Sequence, residues 1–205
     1  MSREQCTYER VLRDVAEHQL TVIRDDDVHR HIRLSRPGSS DYYFDIITWP
    51  GNLIISGDMG AYSFNRLTDM FEFFRHEGGF INPGYWAEKL TSAGREGYEE
   101  FDGDRTREVI EQYYNEWLEE NGLTKEEDME GNEIWGEIKR EILDYIDAGD
   151  EHRALTGLYD FNYEDFEFTD IFEYRMKRYT FHYIWNCYAI VWAIEQYDKY
   201  KKNNG

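Results

Sequence analysis

Apolar residues recur along the chain with two different periods. Tyr8, Val11, Leu12 and Val15 stand at helical spacing behind a Ser2/Gln5 capping box, which predicts a first helix to about Glu17. Alternation with period two follows. Residues 20–24 read as a short β-branched strand and Asp25-Asp26-Asp27 as a turn. Over 28–34, Val28, Ile32 and Leu34 share one face, while His29, His31 and Arg33 share the other. Pro37-Gly38-Ser39-Ser40 breaks the chain. Residues 42–49 form a strong strand, which Pro50-Gly51-Asn52 turns into a returning one over 53–56. Gly57-Asp58-Met59-Gly60 makes another turn before a last short strand with Tyr62 and Phe64 on its apolar side. These elements predict an antiparallel meander of three or four strands.

The helical period then returns. Leu67, Met70, Phe71 and Phe74 predict a helix ended by Gly78-Gly79, and Pro83 starts a short one through Trp86 and Leu90. Ile110, Tyr113, Tyr114 and Trp117 predict a helix over 104–120 with Gly122 as its stop. Ile134, Ile138, Ile142 and Tyr145 predict a second over 132–147, closed by Gly149. In 158–174, aromatic residues (Tyr159, Phe161, Tyr163, Phe166, Phe168) are mixed with acids, and the pattern does not separate helix from strand. Residues 175–200, with Tyr183, Ile184, Cys187, Tyr188, Val191 and Ile194, predict a long central core helix. The class is α+β: an N-terminal helix and a small sheet in 1–95, then an acidic, mainly helical region in 96–205, the two expected to share one core.

Charge changes this picture. The chain holds 43 Asp and Glu against 23 Lys and Arg, a formal net charge of −20. Its 6 Trp, 17 Tyr and 12 Phe separate it from acidic disordered chains, which are poor in aromatics. Bare nucleic acid and anionic membrane surfaces would repel such a chain. No basic-then-apolar leader opens it. The most apolar stretch, 179–192, is interrupted by His182 and Asn186 and is too short to span a bilayer. Cys6 and Cys187 match neither a disulfide framework nor metal-site spacing, so a reducing, cytoplasmic location is expected.

The excess is local. Residues 1–95 have a net charge of −3, residues 96–175 of −20 and residues 176–205 of +3. Within the acidic segment Glu130, Glu133, Glu137, Glu141 and Asp144 fall at helical spacings on one face. At about 1.5 Å per residue, that face carries roughly one charge every 5 Å along some 20 Å. B-DNA carries a phosphate about every 3.4 Å on each strand, a density comparable within a factor of two. Glu108, Glu111, Glu116 and Glu119 line the outer side of the preceding helix. Glu164, Asp165, Glu167, Asp170 and Glu173 form a third patch. Like charges at i, i+4 destabilise a helix by a few tenths of a kcal/mol each, and only Lys139 and Arg140 lie close enough to relieve them. An ordinary solvated face is the alternative reading.

Other chemistry is thinner. His29 and His31 would point the same way from a strand, as two metal ligands could, but no third ligand follows at a convincing spacing. Asp45 and Asp58 flank the Trp-Pro-Gly hairpin as paired carboxylates would for acid–base work, although turn and surface roles explain both. Glu137-Ile138-Lys139 has nuclease-like spacing but lies mid-helix. Gly57-Asp58-Met59-Gly60 lacks the ending of a phosphate loop. No catalytic residue, metal or cofactor is assigned.

The Thr-Trp-Pro-Gly turn (Thr48 to Gly51), the Gly-Asp-Met-Gly turn (Gly57 to Gly60) and the Asp-Met-Phe-Glu-Phe-Phe-Arg helix (Asp69 to Arg75) together resemble a segment of uncharacterised proteins of tailed phages and prophages. The resemblance covers roughly the first half of the chain and implies a phage accessory protein acting in a bacterial host. Combined with the acidic stripes, it leads to an expected function: a non-enzymatic inhibitor that occupies the basic groove of a nucleic-acid-handling defence protein, such as a CRISPR effector or restriction enzyme, by mimicry. The alternatives are an enzyme acting on a small nucleotide-type signal near Asp45, Asp58 and Tyr62, or a phage structural or assembly protein. Oligomeric state is left open, with a dimer as one option.

Overall fold

A computed structural model describes residues 5–95, 97–124, 129–163 and 165–204. The chain divides into two compact units, Met1–Glu99 with Tyr179–Gly205, and Glu100–Arg178. The second is an insertion in the first. The boundary therefore does not follow the split near residue 95. The last helix belongs with the sheet, because an apolar sheet face must be covered and this helix buries ten of its residues, nine of them in the core that face forms.

In the sheet unit, β1 (Gln19–Asp26), β2 (His29–Ser35), β3 (Phe44–Trp49), β4 (Asn52–Gly57), β5 (Gly60–Asn65) and β6 (Leu90–Ala93) form one antiparallel sheet in sequence order. The meander thus has six strands rather than three or four. Leu90, expected to end a helix, instead pairs with Phe64 across the β5–β6 ladder. The helix before it stops at Ala87, where the Lys89 amide donates to the Trp86 carbonyl. Alternation places Ile32, Leu34, Phe44, Ile46, Leu53, Ile55, Tyr62 and Phe64 on the buried face. Gly51 and Gly60 take the left-handed conformation that the hairpin turns require, at φ +81 and +93.

Four helices, α1 (Tyr8–Asp14), α2 (Met70–Phe74), α3 (Pro83–Ala87) and α8 (Phe181–Asn204), contribute buried residues to this core. The expected capping box includes Ser2, which lies outside the described residues. The observed cap of α1 is Thr7, whose hydroxyl accepts from the Arg10 amide at 3.2 Å. Helix α8 begins at Phe181 rather than near 175, because Lys177–Tyr179 is strand and the Thr180 hydroxyl then accepts from the Tyr183 amide. It buries residues on several sides, including Trp185, Cys187, Ile190, Val191 and Ile194. The polar tips it takes inside are satisfied. Trp185 Nε1 donates to Asp14 at 3.0 Å, Tyr183 to the Pro83 carbonyl at 2.9 Å, and Asn186 to the Met59 carbonyl at 2.7 Å.

His18 carries a testable pH dependence. Its Nε2 pairs with the Tyr42 carbonyl at 3.1 Å, while the buried Nδ1 has no partner among the described residues. Burial lowers its pKa from the ordinary 6.5, outweighing the favourable carbonyl. The native state therefore binds this proton less readily than the unfolded chain. The stability it contributes is present above pH 6.5 and is lost as pH falls through the lower folded value. Urea midpoints measured on either side of pH 6.5 should show that loss in the wild type and not in His18→Gln.

The inserted unit has its own core: Val109, Ile110, Tyr114, Leu118, Ile134, Ile138, Ile142, Leu158, Phe161 and Phe166 are all buried. Helix α4 (Gly103–Asn121) is capped by Asp102, which accepts from the Arg105 amide, and it ends on Gly122 at φ +68. The next helical stretch is interrupted. It runs as α5 (Met129–Ile138), a π-helical turn (Lys139–Leu143) and α6 (Asp144–Asp147). The undecided aromatic segment resolves into the end of α7 (Glu151–Asp160), a hairpin of β8 (Asn162–Tyr163) and β9 (Phe166–Glu167), and a 3-10 turn (Ile171–Glu173). Two short strands, β7 (Glu99–Phe101) and β10 (Lys177–Tyr179), pair where the chain passes between the units.

Candidate partner-binding surface

Residues 100–178 contain 25 Asp and Glu against 9 Lys and Arg, so this unit alone has a formal net charge of −16. The apolar stripe of α4 faces the core through Val109, Ile110, Tyr114 and Leu118. Helical geometry then puts Glu108 and Glu119 on its outer line with Asp104, and Glu111 and Glu116 on the two flanks. Glu108, Glu116 and Glu119 are exposed and Glu111 is half-buried. Glu108 is paired with Arg105 at 3.0 Å. Among the described residues Glu111, Glu116 and Glu119 have no ion-pair partner.

The predicted stripe from Glu130 to Asp144 is modified by the π-turn. A turn closed at i→i+5 holds one residue more than an α-turn, so Asp144 sits roughly a quarter turn away from the line through Glu133 and Glu137. The side chain of Glu130 lies outside the described residues, as does Glu164. Glu133 and Asp144 are exposed without an ion pair among the described residues. Glu137 and Glu141 both engage Arg140, Glu141 at 3.1 Å. Two charges of the stripe are thereby partly neutralised. Arg107 does the same for Asp147 at 2.6 Å. Asp165 and Glu167 lie exposed in the β8–β9 hairpin, and Asp170 precedes the 3-10 turn at φ +57.

An aromatic pair adds to this surface. Tyr159, at the end of α7, is 77% exposed and Phe172 is 51% exposed, with ring centroids 5.9 Å apart. Asp160 and Glu173 follow them directly in the chain. Exposed rings rimmed by charge are the composition of a protein-binding anchor. Sequence pattern alone does not show this pair, because it does not separate helix from strand over 158–174. Once Ala154 and Leu158 are known to face inward, Tyr159 falls on the outer side.

On the open face of the sheet, His31, Arg33 and Asp45 come together. His31 Nε2 lies 2.8 Å from Asp45 Oδ1, and Arg33 donates to both carboxylate oxygens, to Oδ1 at 3.1 Å and to Oδ2 at 2.8 Å. Burial raises the Asp45 pKa, but the Arg33 and His31 hydrogen bonds outweigh it and hold the carboxyl below its ordinary value. Two of the three residues of the basic strand face, His31 and Arg33, are thus hydrogen-bond partners of one carboxylate. No group of three metal-ligating side chains occurs among the described residues. The enzyme site centred on Asp45, Asp58 and Tyr62 does not assemble. Asp45 lies on the open face and Tyr62 on the buried one, with its hydroxyl on the Gly97 carbonyl. Asp58 accepts from the Tyr42 amide at 2.9 Å, a turn-forming role.

No protein-family model, curated protein or solved structure matches the chain. No described helix is long and apolar enough to cross a membrane.

Proposed function

We propose that the inserted helical unit is a recognition module for the basic, nucleic-acid-binding surface of another protein, and that the protein acts as a non-enzymatic inhibitor of that partner. The observation that carries this reading is the −16 net charge of residues 100–178, much of it on exposed carboxylates without ion pairs among the described residues. Such a field attracts a basic groove, speeds encounter and weakens with salt. It also repels nucleic acid, so the partner is the protein and not its substrate. The resemblance of 44–75 to tailed-phage proteins directs the choice of partner to host defence complexes that bind DNA or RNA, with the bacterial cytoplasm as the place of action.

The test is displacement of duplex DNA from purified restriction enzymes and CRISPR effector complexes. Displacement is expected for at least one of them, and it should weaken steeply with salt. Reversing four unpaired charges together (Glu116→Lys, Glu119→Lys, Glu133→Lys and Asp144→Lys) should cost on the order of 100-fold in potency at low salt. The neutral Gln and Asn versions should cost less. Absence of displacement across the panel, or potency indifferent to reversal, rejects the reading.

A further inference from the structure

A second candidate site lies in the sheet unit, independent of the acidic surface. Between α2 and α3 (Pro83–Ala87) is an open cavity of about 340 Å³. That is near the lower end of the range for small-molecule pockets, so the ligand it suits is little larger than one ring with its substituents. Phe73, Phe80 and Tyr85 line it, and Trp86 lies beneath with His76 stacked against it at 6.0 Å. Phe80 is 56% exposed, and Leu67 and Tyr85 are also exposed. Such a concentration of apolar surface beside a concavity is unusual unless something covers it.

The polar groups around the cavity narrow the chemistry. Arg66 and Glu72 both line it, both are exposed, and neither has an ion-pair partner among the described residues. The guanidinium suits a carboxylate, and the carboxylate of Glu72 suits an ammonium. A ligand that satisfies both is a zwitterion with a planar ring. A dianionic nucleotide would answer Arg66 but would face Glu72 and the −20 net charge of the chain.

We propose that this cavity binds a free aromatic amino acid, its ring against Phe73, Phe80 and Tyr85, its carboxylate on Arg66 and its ammonium on Glu72. Two-dimensional amide NMR of the full chain tests it, with L-phenylalanine as probe and its amide, its N-acetyl derivative and adenosine monophosphate as comparison arms. L-phenylalanine at millimolar concentration should shift amides within 66–86. The amide and N-acetyl forms should each bind about 10-fold more weakly or worse, having lost one charged contact. Phe80→Ala, at an exposed position that leaves the core intact, should reduce affinity by a similar factor. Arg66→Ala should abolish the preference for L-phenylalanine over its amide. The proposal is overturned if these amides do not move, if the shifts survive Phe80→Ala and Arg66→Ala unchanged, or if the nucleotide binds more tightly. Both variants lie in the sheet unit and outside residues 100–178, so each result leaves the displacement experiment to be judged on its own.

Discussion

Replacing Asp69 by Ala should cost the protein roughly 3–4 kcal/mol, read as a fall in the urea midpoint at constant slope. Arg30 projects from β2 into the buried face of the sheet and retains 10% side-chain exposure. Its guanidinium makes two bonds to Asp69, at 2.7 and 2.9 Å, and lies over the Phe71 and Tyr197 rings at 4.7 and 5.8 Å. Removing the carboxylate leaves a buried cation without its counterion, which costs about 3 kcal/mol. The low end of the usual range applies because Asp69 itself keeps 21% exposure. Asp69 also accepts from the Phe71 amide at 2.9 Å as the N-cap of α2, worth about 1 kcal/mol more. Asp69→Asn, which can still cap, isolates the charge effect. Arg30→Met with Asp69→Asn should recover most of the loss, since the buried charge goes with its partner. Acid should mimic the substitution. Burial raises the Asp69 pKa, but the bonds from Arg30 and Phe71 hold it below its ordinary 3.8, so this stability is present above 3.8 and lost as pH falls through the folded value. Because α2 also carries Glu72 and Phe73, Asp69→Ala should weaken ligand binding at the aromatic cavity as well.

The second large effect is expected at Gly157, inside α7. Helix propensity alone predicts a gain of about 1 kcal/mol from Gly to Ala. The packing predicts the opposite sign. A Cβ at 157 would stand 2.3 Å from the Glu141 carbonyl oxygen and 3.4 Å from Ile142 Cγ1. Helix α7 thus rests on the backbone of the π-turn with no room for a side chain. Gly157→Val should cost about 3 kcal/mol by overpacking, with amide-exchange protection lost within residues 100–178. It should also displace Tyr159, two residues further on, and so weaken partner binding. Gly136 is the control. It lies in α5 with nothing within 4 Å of a built Cβ, so Gly136→Ala should stabilise by about 1 kcal/mol.

These two positions show where sequence reading reached its limit. The alternation of Ile32 with Leu34 was legible, but it includes residue 30, and an arginine there was not counted as inward. Only its distant partners Asp69, Phe71 and Tyr197 make that burial tolerable, and no local pattern reveals them. Gly149 and Gly122 read correctly as helix ends, because a left-handed residue after an apolar stripe is a local event. Gly157 did not read at all, since its reason is a backbone carbonyl on a different helical segment. The carboxylates fared similarly. Their types and spacings were legible, but their partners were not. Arg140 draws on Glu137 and Glu141 at short range, and the π-turn rotates Asp144 away from the expected line.

The sequence by itself determined the α+β class, the central strands β2 to β5, the C-terminal core helix and the location of the negative charge. Each follows from periodicity, turn chemistry or composition, which act over a few residues. Only the tertiary structure decided that residues 100–178 are an insertion, that α8 covers a six-stranded sheet, and that His31 and Arg33 serve Asp45. It also decided that exposed aromatic residues from separate segments gather at Tyr159 and Phe172 and around the cavity near Arg66. These depend on which apolar face finds which cover, a matter of packing between elements far apart in the chain.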